Sequence, residues 1–132
     1  MEVVMAVLAQ GFEVQDGLPN IFGVFSRIVP EFLPIMSQPM TLVVNYQASA
    51  AESGMAKTFG ILLMDEDGTH LTRFEHTGVV DPPDRPGRRI EWTNHYNFPP
   101  MKFDKPGDYA FSILVDGDEK RSVSLYVDLP NS

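Results

Sequence analysis

The sequence predicts an all-β fold: an antiparallel β-sandwich of about eight strands, forming a single domain over residues 1–132. Three observations predict it. The first is strict alternation, clearest in residues 106–117, where Tyr109, Phe111, Ile113 and Val115 recur every second position. That is the period of a strand with one buried face. The second is turn chemistry at regular intervals. Pro106-Gly107 opens that strand and Asp116-Gly117 closes it with a strong hairpin signal. The third is that no segment sustains a helical period.

The elements follow in order. Residues 3–14 are apolar or β-branched on both alternating sets, which predicts a central strand or one covered on both faces. Gln15-Asp16-Gly17-Leu18-Pro19 ends it with a turn. Residues 20–29 form the second strand, with Ile21, Phe22, Val24, Phe25 and Ile28 as its apolar set. Residues 30–36 interrupt the pattern, because Pro30 and Pro34 are incompatible with a paired central strand. Residues 40–48 alternate cleanly, with Met40, Leu42, Val44 and Tyr46 on one face. Residues 50–56 read as a loop, and residues 58–64 as a short, nearly all-apolar strand. Asp65-Glu66-Asp67-Gly68 turns the chain into residues 69–76, whose mixed pattern is that of an edge. Residues 78–87 are a proline-stiffened connection. Residues 89–98 point Ile90, Trp92, Tyr96 and Phe98 inward, and the last strand, 121–129, does the same with Val123, Leu125 and Val127. If successive strands alternate in direction, loops 15–19, 49–57, 77–87 and 117–120 collect at one end. Loops 30–37, 66–68 and 99–106 collect at the other.

Length and charge narrow the function classes. A chain of 132 residues buries a sizeable core without covalent staples. Ten basic residues against 18 acidic ones leave a net charge of −8, which repels phosphate backbones and anionic lipid. Nucleic acid and membrane are therefore not expected as partners. There is no cysteine, so disulfides and thiolate chemistry are excluded. The apolar start carries Glu2 in place of a basic n-region and runs into a strand pattern, not a cleavage site. These features lead us to expect a soluble, cytoplasmic protein.

Four stretches stand in a characteristic order: an apolar first strand ending in Ala9-Gln10-Gly11; Asp16-Gly17-Leu18-Pro19-Asn20-Ile21-Phe22-Gly23-Val24-Phe25; Asp65-Glu66-Asp67-Gly68; and Pro106-Gly107-Asp108-Tyr109 running to Asp116-Gly117. In these the chain resembles a family of small, uncharacterised bacterial β-sandwich proteins, a domain of unknown function. The resemblance implies a sandwich fold and carries no activity and no catalytic residues.

Candidate chemistry is sparse. The acidic turns 65–68 and 116–119 offer carboxylates to a hard cation, but they lack EF-hand spacing and fall at opposite ends of the alternating arrangement. Plain turns are expected, with no metal and no cofactor. His70 and His76 share strand parity at a separation of roughly 20 Å, too far to bridge one ion. His95 stands in a polar outward row with Glu91, Thr93 and Asn97, which offers either a solvated face or a surface for a small saccharide-type ligand. The chain contains no G-x-S-x-G elbow, no H-E-x-x-H, no Walker A and no dinucleotide fingerprint. A hydrolase would have to rest on a carboxylate pair distant in sequence.

Two connections are unusually apolar: Phe32-Leu33-Pro34-Ile35-Met36 and Phe98-Pro99-Pro100-Met101-Lys102-Phe103. The alternating arrangement puts them at one end, where they either plug the sandwich or meet a partner. The expected function is a non-catalytic binding or structural module. It would engage a protein partner or a second copy through Phe32, Leu33, Met36, Met101 and Phe103, with saccharide binding on the outer face as the alternative.

Overall fold

The computed structural model describes residues 1–130. The strands are β1 (Glu2–Gln15), β2 (Leu18–Phe25), β3 (Arg27–Ile28), β4 (Ile35–Met36), β5 (Met40–Ala48), β6 (Ala56–Met64), β7 (His70–Val79), β8 (Ile90–Phe98), β9 (Lys102–Phe103), β10 (Gly107–Val115) and β11 (Asp118–Val127). A four-stranded sheet in the order β2-β1-β5-β8 faces a five-stranded sheet in the order β3-β11-β10-β6-β7, and β4 pairs with β9 in a separate ribbon. All pairings are antiparallel except β3 beside β11. The all-β sandwich therefore stands, built from eleven strands because short β3, β4 and β9 join the eight long ones.

The core is made by the inward sets of the central strands. Leu42, Val44 and Tyr46 of β5 meet Phe111 and Ile113 of β10 and Leu125 and Val127 of β11, all fully buried. Each such large apolar side chain stabilises the fold by roughly 1.5–3 kcal/mol relative to exposure. The alternation in β10 survives intact, since Tyr109, Phe111, Ile113 and Val115 are all core residues. Two of the three Asp-Gly pairs sit in hairpin turns with positive φ at each residue: 51° and 75° at Asp16-Gly17, 51° and 85° at Asp116-Gly117. That is the backbone a two-residue hairpin of right-handed twist requires.

Three expectations are corrected. Residues 20–29 are not one strand: the chain leaves the first sheet after Phe25 and pairs Arg27 and Ile28 with β11 of the other. β1 is central, between β2 and β5, as one of its two expected readings has it, whereas β5, expected to bury one face, is covered on both. Its outward Thr41, Val43 and Asn45 are also buried, because β5 lies inside its sheet and Phe12 stacks on the neighbouring His95. Finally, the turn at 15–19 lies at the same end as loops 30–37 and 99–106. β1 runs antiparallel to β5, pairing Glu2 with Gln47 and Ala9 with Thr41, so its far half extends past the start of β5. The crossing at β3 spoils simple alternation of direction. The other loops sort as expected, with Asp116 bonded to Thr58 at one end and Lys105 paired with Asp65 and Asp67 at the other.

Candidate functional site

The two apolar connections do meet. Ile35 pairs with Phe103 and Met36 with Lys102 across the β4–β9 ribbon. The Ser37 amide donates to the Met101 carbonyl at 2.8 Å, and the Met101 amide donates to Ser37 Oγ at 3.0 Å. Their side chains then part ways. Phe103 is 0% exposed and packs edge-on against Tyr109, ring centroids 5.0 Å apart. It belongs to the core and cannot touch a partner, so as a binding residue it is corrected to a plug. Leu33 and Met101 are half-buried against the same core. Phe32, 67% exposed, and Met36, 57% exposed, project outward.

Beside them runs an apolar groove of about 310 Å³. Phe25, Ile28, Pro30, Ile35, Met36 and Met40 line it, and Arg27 at its lip is held by Asp128 at 2.7 Å. The groove continues into β2, the edge strand of its sheet. No charged residue occurs in Leu18–Phe25, while Leu18, Phe22 and Val24 are exposed. Exposed edges usually carry charges or bulges that discourage pairing with another chain. Here only Pro19 and the positive-φ Gly23 interrupt eight uncharged residues. The groove could not be foreseen, since it exists because the chain crosses between sheets at β3. The missing charges of β2 were visible in the sequence.

The other candidates resolve into structure. In the acidic turn before β7, Asp65 Oδ1 accepts from the Asp67 and Thr69 amides, both at 2.9 Å, which lowers its pKa along with the neighbouring Lys105. Asp116 accepts from the Thr58 amide and lies 3.6 Å from Lys57. Among the described residues no three His, Cys, Asp or Glu side chains gather as a metal site. The outer polar row spends its hydrogen bonds internally: Asn45 donates to Glu91 and Thr93, Thr41 donates to Asn97, and His95 is stacked under Phe12 at 4.7 Å. Asn45 Oδ1 alone is buried there without a partner among the described residues.

One cluster escaped the sequence entirely. Between β7 and β8, the edge strands on the same flank of the two sheets, lies an aromatic group contributed by Tyr46, Phe59, Phe74, His76, Trp92 and Tyr96. Tyr46 and Tyr96 hydroxyls are 2.8 Å apart, and Tyr96 Oη is 3.0 Å from His76 Nε2. Burial raises both tyrosine pKa values and lowers that of His76, which favours the neutral form of each. Only pairing across two sheets assembles this group, and no spacing in the sequence encodes it.

No helix is long and apolar enough to cross a membrane among the described residues. A comparison with curated proteins finds no match. The model of a family of unknown function, DUF6941, matches residues 4–128. All of the strands but the first two residues of β1, with the apolar end and the aromatic flank, lie within that span, and the chain belongs to this family.

Proposed function

We propose that this is a non-catalytic binding module that associates with a second copy of itself through its apolar end. The observation that carries the reading is an uncharged edge strand joined through the groove to exposed Met36, with exposed Phe32 in the connection just before it. A chain of net charge −8 repels its own copy over most of its surface. β2 offers eight residues without that repulsion. An edge strand pairs antiparallel with its own copy about a two-fold axis, so one patch serves both partners. Phe32 and Met36 then supply the apolar anchors, large and adaptable respectively. A cysteine-free chain suits a reducing cytoplasm, where we place it.

Molar mass by light scattering over a concentration series tests this. The native chain is expected to shift from monomer to dimer, and the Phe32→Ser/Met36→Ser double variant to stay monomeric with its melting temperature within a few degrees of native. Both side chains are largely solvated, so their loss costs little stability. A native chain that is monomeric at every concentration, or a dimer that the substitutions leave intact, overturns the proposal.

A further inference from the structure

We propose that the cleft between β7 and β8, at the opposite end of the sandwich from the apolar groove, is a binding site for a small neutral saccharide. The cleft has a volume of about 350 Å³, within the range of small-ligand sites. Phe59, His76 and Trp92 form its wall, and Asn94, Asp81 and Asp84 bring polar groups to it. Asp81 and Asp84 sit on the proline-stiffened loop that follows β7, which holds the lip without a helix or strand of its own.

The hydrogen-bond relay behind the wall decides what the wall presents. Tyr46 is fully buried and its hydroxyl has one partner, Tyr96, among the described residues. If Tyr46 donates to Tyr96 and Tyr96 donates to His76 Nε2, every hydroxyl hydrogen finds an acceptor. In the reverse direction, with His76 Nε2 donating, the Tyr46 hydrogen is stranded in the core, at the cost of an unsatisfied buried donor. We take the first direction, which spares that cost. It makes His76 the Nδ1–H tautomer and leaves that N–H to the cleft the imidazole lines.

The cleft thus combines an aromatic wall, donors on His76 and Asn94, and acceptors on Asn94, Asp81 and Asp84. A sugar ring matches all three. Its C–H face rests on the aromatic wall, and its hydroxyls both donate to carboxylates and accept from N–H groups. Arg89, held by Glu2 at 3.0 Å, also lines the cleft, but an anion is repelled by its three carboxylates, on Asp81, Asp84 and Glu91. A simple organic cation gains from them but leaves the His76 donor facing a positive charge.

Trp92 is the sole tryptophan of the chain, so its emission reports on this wall alone. The test is titration of the native chain with glucose, galactose, mannose and N-acetylglucosamine, followed by Trp92 fluorescence. At least one sugar is expected to give a saturable change, weakened about tenfold or more in the exposed Asp81→Asn/Asp84→Asn double variant, whose melting temperature stays native. A response to choline with none to any sugar overturns the ligand class. No saturable response at all, or one that the double variant retains in full, overturns the site. Because the apolar end is untouched by these substitutions, the dimer proposal stands or falls separately.

Discussion

Phe32 and Phe103 have the same side chain, lie in connections of similar composition, and end in opposite environments. The sequence groups them correctly at one end but cannot sort them, because inward or outward depends on the two-residue pairing of β4 with β9. The consequence is measurable. Phe103→Ala should lose about 3–5 kcal/mol of folding stability in denaturant titration, the cost of a buried phenyl ring and its cavity, whereas Phe32→Ala should change it by less than about 0.5 kcal/mol. Glu52 is a second case that spacing alone leaves unread. The Met1 ammonium 2.8 Å away, the Ser49 amide and Lys57 hold its pKa at about 2, against an ordinary 4.5. With the folded value depressed, the carboxylate's contribution is complete above the ordinary pKa. It is lost as pH falls from about 4.5 through about 2. Thermal melts across that window should show a shallower decline for Glu52→Gln than for the native chain.

At the scale of elements, the sequence is most legible where local chemistry decides. β10 and the Asp116-Gly117 turn read directly, since alternation fixes the buried face and Asp-Gly suits a two-residue hairpin. Asp116-Gly117 makes this testable. A Cβ added at Gly117 meets nothing within 4 Å, so the only cost of Gly117→Ala is its φ of +85°. That should appear as about 1–2 kcal/mol of lost stability with no change in the core. Elements fixed by distant partners are the ones the sequence misreads. Residues 20–29 carry one continuous apolar pattern, yet Arg27 and Ile28 join the opposite sheet because β11 offers them an edge. Likewise β5 reads as one-faced because Thr41 and Asn45 are polar, and they are buried nonetheless through hydrogen bonds to Asn97, Glu91 and Thr93.

At the scale of the whole molecule, the two proposed surfaces lie at opposite ends of one sandwich. The apolar end was half visible: the loops that form it were identifiable, whereas the groove beside them needed the crossing at β3. The aromatic flank was invisible, since β6, β7 and β8 meet there only after both sheets have formed. The distribution of charge ties the molecule together. A surplus of −8 disfavours contact between copies and β2 carries no charge, so association, as proposed, should use that edge and strengthen as salt screens the remaining repulsion. Amide hydrogen exchange of Leu18–Phe25, compared at dilute and concentrated protein, tests this most directly. The β2 amides not bonded to β1 should exchange more slowly at high concentration, while amides of β7, the edge of the other sheet, keep their rate. Equal exchange of β2 at both concentrations, or slowing at β7 in its place, would contradict it.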